Sequence, residues 1–463
     1  MNANERAIEK EKYIFEQLPI PKALAAMILP TILSQIIHVV YNLADTWFVG
    51  LTNDPNAVAA VSLCLPVYNL LTGFSNMFGI GGASVVSRAL GLNHPTRARR
   101  AFSCAFWCAA LAAVGYSLLL LTCMRPLLLL IGGNEGSIDY AVSYTVITIL
   151  IGGLPTILAA TVSHLFRAAG ESGIASRGMI VGAVLNIALD PLFMFVLLPR
   201  GNEVAGAAIA TALSNLASLV YFGVNIHRRK GLYCVDPRLL RQAKPVAAEI
   251  VRCGAPGFLM VALAMFANCF LNAAIAMLAG SAGVAGIGIV RKVDSLAYAV
   301  NQGITQGMLP IVAYCYATGK RRRMWTAFRY SMGLTVGFSL ICTLVSLLLA
   351  PELIRLFIRD AETIRYGAWF LRVITLTIPI YSGTFIIIAA FQAIGRSTEP
   401  FLLSILHTGT LDVVLMLLII QLLPLQLVLW ASPITELLAL VVGLVMIRTK
   451  FLPLTMIEKE NLK

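Results

Sequence analysis

Apolar residues run through this chain in long blocks, separated by short polar and basic stretches. Twelve of these blocks are long enough for a transmembrane helix, which needs about 20 apolar residues. They lie at 23–50, 57–87, 101–122, 139–166, 174–198 and 204–226 in the first half, and at 250–279, 284–316, 326–350, 363–391, 399–422 and 427–447 in the second. The pattern predicts an all-α integral membrane protein. Its expected organisation is an N-terminal tail (1–22), six spans (23–227), a polar linker (228–249), six more spans (250–447) and a C-terminal tail (448–463). The run Gly79-Ile-Gly-Gly-Ala-Ser84 is built to let helices approach closely.

The two halves also repeat. A shift of 226 places Pro30 on Pro256, Asn42 on Asn268, Arg97 on Arg323 and Ala101-Phe102 on Ala327-Phe328. With one residue of slippage, Phe166-Arg-Ala-Ala-Gly170 falls on Phe391-Gln-Ala-Ile-Gly395. Six spans per repeat make the halves parallel, related by an axis along the membrane normal. Two such lobes around a central cavity suit an alternating-access transporter better than a channel or an enzyme.

Composition narrows the class further. Only 12% of the residues are charged, against 59% hydrophobic, whereas soluble domains carry about 25% charged residues. The net charge of +13 is explained by where it sits rather than by nucleic acid: 26 Lys and Arg fall on one side of the predicted spans and five on the other. By the positive-inside rule both termini are cytoplasmic, and the chain is a multi-pass protein of the cell membrane. The nine Cys are scattered without a CxxC, and five isolated His complete no metal cluster. There is no GxxxxGK[ST], GxSxG or HExxH, so neither direct use of ATP nor an enzyme reading is supported. Energy must then come from an ion gradient, or transport is passive.

The fifth block holds the most pointed chemistry, Leu185-Asn-Ile-Ala-Leu-Asp-Pro-Leu-Phe193. Asn186 and Asp190 are four apart and share one helical face. A carboxylate at that depth costs about 2.5–3.5 kcal/mol, so it is expected to face a cavity and act there. Pro191 has no N–H, which frees the Ile187 carbonyl and predicts a kink. An acid, an amide and a loosened carbonyl together can seat a proton or a small cation. Asp45, late in the first block, is either solvated at the membrane edge or paired with Asp190. Two close carboxylates either share a proton near neutral pH or hold a sodium ion with nearby oxygens. Span six adds Thr211, Ser214 and Asn215, although such hydroxyls usually bond their own helix. His38 and His164 read as interior histidines before they read as relays. Asp294 follows Arg291-Lys292, which predicts a local ion pair. Asp412 and Glu436 are candidates for the second half, and Met260, Met265, Phe266 and Met277 for an adaptable wall.

These residues resemble the multidrug and toxic compound extrusion (MATE) family. The resemblance runs through nearly the whole chain and rests on Tyr41-Asn-Leu-Ala-Asp45-Thr-Trp-Phe-Val-Gly50, Ala83-Ser-Val-Val-Ser-Arg-Ala-Leu-Gly91, Arg167-Ala-Ala-Gly170 and Asn186-X3-Asp190-Pro. It implies 12 transmembrane helices in two six-helix lobes, a V-shaped MATE-type fold. It also implies secondary antiport, in which organic, often cationic and lipophilic compounds leave as Na⁺ or H⁺ enters. The cation site it implies is Asp45, Asn186, Asp190 and Thr211, with Tyr41 adjacent and Pro30 at a bend of span one. Residues 254–279 contain no acid, which departs from branches with a Glu in span seven. Coupling therefore resembles that of the DinF-like branch, centred on the first lobe.

The expected function is thus multidrug efflux by a cation-coupled antiporter. It needs no cofactor, and no metal beyond a coupling Na⁺. Its partners are drug-like small molecules and the bilayer, without nucleic acid, and one copy suffices. The rival is a flippase for lipid-linked or polysaccharide precursors. That reading requires Arg291, Lys292, Arg329 and Arg372 to converge on the cavity and bind pyrophosphate.

Overall fold

A computed structural model describes residues 12–52, 55–130, 138–199, 201–229, 231, 233–407 and 409–454. The outer parts of both expected tails, with Arg200 and Lys230 of the charge count, lie outside the described residues. Among the described residues, nine helices are long and apolar enough to cross a membrane, and two bent helix pairs pass the same test. One of the nine, 74 residues long, is interrupted at Gly280 (φ 57°, ψ −149°), so it serves as two spans. Twelve crossings result, as the hydrophobic blocks predict.

The first half consists of α1 (Ile20–Gly50), α2 (Pro55–Gly91), α3 (Pro95–Leu130), α4 (Ile138–Thr145), α5 (Gly153–Ala168), α6 (Ser172–Pro191) and α7 (Glu203–Arg228). Helices α4 and α5 form one span bent by 49°, through wide π-type turns at Val146–Ile151. The second half begins with the long α8 (Lys244–Ala317) and continues with α9 (Arg321–Leu348). Then come α10 (Ala361–Ile374) and α11 (Thr377–Ala393), bent by 41°, and α12 (Thr398–Leu406), α13 (Thr410–Leu422) and α14 (Ala431–Met446). Pro191 does not end its span. The helix widens beyond it into π-type turns at Leu192–Leu197, so the missing donor is absorbed by looser winding.

The chain forms two compact units. Unit 1 comprises Leu33–Phe258 with the chain up to Leu18, and unit 2 comprises Leu259–Lys463 with Pro19–Ile32. The start of α1 therefore belongs to unit 2 and the start of α8 to unit 1. Under the 226-residue repeat these two segments are counterparts. Glycine makes each placement feasible. In unit 1, Gly254 faces the Met77 backbone and Gly81 faces the Ile250 carbonyl, with no room for a Cβ at either. In unit 2, Gly303 and Gly307 lie against the backbone of Ile32 and Ile28.

The small-residue run behaves as its composition predicts. Gly79 lies under the His164 ring, and Gly82 against Ala105 and Leu165. His164 is thus a packed interior side chain, 7% exposed. In unit 2, the apolar core draws Leu271, Ile275 and Val290 of α8 onto Phe370 and Leu371 of α10 and Met416 and Ile419 of α13.

Candidate functional site: a buried oxygen cluster in unit 1

Helices α6 and α7 pack side by side because small residues line their contact. Gly178 lies against the Phe222 ring and Gly182 against Ser218. That approach brings Asn186 and Asp190 of α6 to Thr211 of α7. The Asn186 Nδ2 donates to Asp190 Oδ1 at 3.4 Å and to Thr211 Oγ1 at 3.3 Å. Asp190 is fully buried, and Asn186 and Thr211 are 2% and 9% exposed. Ser214, one turn on, donates instead to the Ala210 carbonyl of its own helix at 2.7 Å.

The amide spends both its donors on this bridge, which leaves oxygens over. Asn186 Oδ1 and Asp190 Oδ2 are buried and have no hydrogen-bond partner, and Asp45 Oδ1 on α1 is in the same condition. Asp45 and Asp190 are close enough for their charges to interact. Tyr41, Tyr68 and Tyr144 also lie within electrostatic reach of Asp45. The His38 ring meets Tyr41 edge-on, with centroids 4.7 Å apart. Buried polar atoms are almost always satisfied, so three open oxygens in one region invite a positively charged guest.

Five of the six residues expected at the site, Tyr41, Asp45, Asn186, Asp190 and Thr211, lie in unit 1, whereas Pro30 lies in the α1 segment that belongs to unit 2. There α1 continues through the proline, and the Thr31 hydroxyl donates to the Met27 carbonyl at 2.8 Å. Sequence reasoning missed Tyr68 and Tyr144. A tyrosine on an apolar span gives no periodic signal of its own. Thr156 of α5 was also missed, and it accepts from Asn215 Nδ2 at 2.8 Å.

One expectation for the second half needs correction. Among the described residues Asp294 makes no ion pair: its Oδ1 is buried without a partner, and the nearby Arg291 donates to the Asn268 carbonyl at 3.5 Å. Phe266 and Met277 are largely exposed, and Met260 is buried.

The family model described as MatE matches residues 30–192 and 256–418, both halves of the repeat. This chain belongs to the MatE family. It is a MATE transporter and not an enzyme. The multidrug export protein MepA of Staphylococcus aureus (strain MSSA476) is 27% identical over 431 residues, covering 92% of this chain and 93% of MepA. MepA of Staphylococcus haemolyticus (strain JCSC1435) is 25% identical over 430 residues, with the same coverage. Among solved structures, an outward-facing multidrug resistance MATE transporter of the MOP superfamily superposes with TM-score 0.88 at 22% identity, covering 97% of this chain and 98% of that one. The fold class is therefore that of the MATE transporters. The flippase reading is not favoured, since the relatives above are multidrug export proteins.

Proposed function

We propose that this MATE protein is a multidrug efflux antiporter coupled to cation entry at Asp45, Asn186, Asp190 and Thr211. The observation that carries the reading is the set of buried oxygens without partners on Asp45, Asn186 and Asp190. Two carboxylates and an amide oxygen can hold Na⁺, and the carboxylates alone can hold a proton. Both ions answer the same deficit of positive charge. The relatives' role in multidrug export supports drug-like, often cationic organic substrates.

A cation drives transport only if it binds the two conformations of the carrier with different affinity. Asn186 is the adjustable part. While its amide bridges Asp190 and Thr211, it holds α6 to α7 and keeps its own oxygen open. A shift of α6 against α7 lengthens the Asn186–Thr211 bond, which is already long at 3.3 Å, and this changes the cation's shell. Tyr41 and Tyr68 stand beside Asp45 as further oxygen donors or gating rings. The proposed setting is the cytoplasmic membrane with both termini inside, the domains being the two six-span lobes. One copy suffices, because the repeat supplies both halves.

The test is ethidium efflux from proteoliposomes under an imposed Na⁺ or H⁺ gradient, comparing wild type with Asp190→Asn. Gradient-driven efflux that is lost in the variant is expected, and the effective gradient names the ion. Full efflux by Asp190→Asn overturns the site.

A further inference from the structure

The second half of α8, beyond the break at Gly280, carries a polar stripe that the cation cluster of unit 1 does not use. Asp294, Tyr298, Gln302 and Gln306 recur every four residues and so share one helical face. The stripe is bonded along its length. Gln302 Nε2 donates to Tyr298 Oη at 2.8 Å, and Gln306 Nε2 donates to Gln302 Oε1 at 3.4 Å. Tyr298 is 46% exposed, and Asp294, Gln302 and Gln306 are half-buried. An acid and two amides on one accessible face are disfavoured against hydrocarbon, so this face lines water.

The repeat agrees with that orientation. The 226-residue offset holds without slippage from Asn42 and Asn268 to Ala101 and Ala327, and it carries Tyr68 onto Asp294. Tyr68 is one of the tyrosines within electrostatic reach of Asp45. Position 294 thus repeats, in span eight, a position that in span two looks onto the polar interior of its unit.

The surroundings of Asp294 are aromatic. The Tyr298 ring, one turn on, has its centroid 6.5 Å from that of Tyr381 and 6.0 Å from that of Phe385, which it meets edge-on. Tyr381 and Phe385 belong to α11, and both are half-buried. The Asp294 charge is within reach of Tyr381 and, on α9, of Cys342. Asp294 Oδ1 is buried without a hydrogen-bond partner. Its nearest basic neighbours in sequence do not answer it. Arg291 is drawn to the Asn268 carbonyl, and Lys292 is two residues away, on a different face of the helix.

We propose that Asp294, Tyr298, Tyr381 and Phe385 form a docking site in unit 2 for the charged end of a lipophilic organic cation. A cation is attracted to the face of an aromatic ring, more strongly where water is excluded. A bulky, weakly hydrated cation can therefore meet the carboxylate and the rings together. Three of these four side chains are rings, whereas Asp190 of unit 1 is accompanied by an amide and a hydroxyl. The two units then divide the work: the unit 1 acids hold the coupling cation, and Asp294 holds the compound that is carried.

This inference rests on the efflux reading for the class of ligand, and it is tested at equilibrium, without a gradient. The probe is radiolabelled tetraphenylphosphonium, bound to purified protein in nanodiscs, with empty nanodiscs as the blank. Wild type should bind it saturably. Asp294→Asn should weaken binding about tenfold or more, as expected for loss of one partly shielded charge contact. Tyr298→Leu should weaken it several-fold, whereas Tyr298→Phe, which keeps the ring, should bind like wild type. All three variants should keep the cation-dependent thermal stabilisation that the unit 1 cluster confers. Unchanged binding in Asp294→Asn overturns the docking site and leaves the antiport reading standing. Loss of the thermal stabilisation in Asp294→Asn also overturns it, because Asp294 would then belong to the coupling machinery. Absence of saturable binding in wild type overturns the docking site together with the cationic-substrate reading. Should Asp294→Asn fail to fold, the comparison of Tyr298→Leu with Tyr298→Phe decides, and equal binding by those two overturns the site.

Discussion

Asp190→Asn separates the two things a buried carboxylate does, because it should harm transport and spare the fold. Asp190 is fully buried, its Oδ2 has no partner, and its one side-chain bond is a 3.4 Å contact from Asn186. The ionised form therefore lacks compensation, at a cost of about 2.5–3.5 kcal/mol on membrane-insertion scales. The amide removes that charge at nearly constant volume and forgoes at most one hydrogen bond, worth about 1 kcal/mol. Without cation, the variant should be at least as stable as wild type, by up to about 2 kcal/mol. With cation at a hundred times its dissociation constant, wild type should gain about 2.7 kcal/mol and the variant nothing. Thermal unfolding in nanodiscs, in choline chloride and then in NaCl or at lower pH, reads both quantities. A variant clearly less stable than wild type in choline, or one that keeps the cation-dependent gain, refutes the reasoning.

Thr211→Val keeps the shape of α7 but removes the acceptor of the Asn186 bridge. The loss of about 1 kcal/mol should weaken apparent cation affinity about fivefold in gradient-driven ethidium transport, with expression unchanged. Gly254→Leu drives a side chain into the Met77 backbone, where nothing flexible can yield. It should cost at least the roughly 1–3 kcal/mol of ordinary overpacking, read as lost monodisperse protein on size exclusion, whereas Gly333→Ala, in open space, should not. Pro30→Ala restores a donor for the Ala26 carbonyl, and is expected to slow turnover while leaving cation-dependent stabilisation intact. Asp360 caps α10, held below the usual carboxylate range by the Thr363 hydroxyl and N–H. Its folded-state affinity for protons is depressed, so the cap is in place at neutral pH and is lost as pH falls through that depressed range. Faster amide exchange at Thr363 in acid, absent in Asp360→Asn, would show it.

The spans were legible because a bilayer imposes length and hydrophobicity on every crossing. The repeat was legible because Pro30, Asn42 and Arg97 keep their spacing from Pro256, Asn268 and Arg323. The pairing of Asn186 with Asp190 followed from helical spacing alone, and its bond is there. The partner Thr211 lies 25 residues on, and no local rule reaches it; the resemblance supplied it. Tyr68 and Tyr144 were not legible because their role comes from the fold bringing them to Asp45. Gly280 was passed over for a related reason: its positive φ is a fact of the backbone, and glycine in an apolar run otherwise reads as a packing residue. The ion pair expected for Asp294 failed although Arg291, three residues before it, shares its helical face, because Arg291 reaches a backbone carbonyl instead.

Duplication of one six-span unit fixes where an ion site can form but leaves open which ion it takes. In both units, the position near the middle of the fifth repeat span faces the sixth, at Asn186 with Thr211 and at Asp412 with Thr435. What differs is whether the oxygens are committed. In unit 1 a single amide bonds two neighbours and leaves three oxygens open on three residues, the condition for coordinating a metal cation. In unit 2 Asp412 accepts from Ser432 and Thr435, and Glu436 Oε2 meets the His407 ring. On this reasoning an Asp412→Asn change should leave cation-dependent stabilisation by the unit 1 cluster intact. Loss of that stabilisation would mean that the unit 2 acids take part in holding the cation.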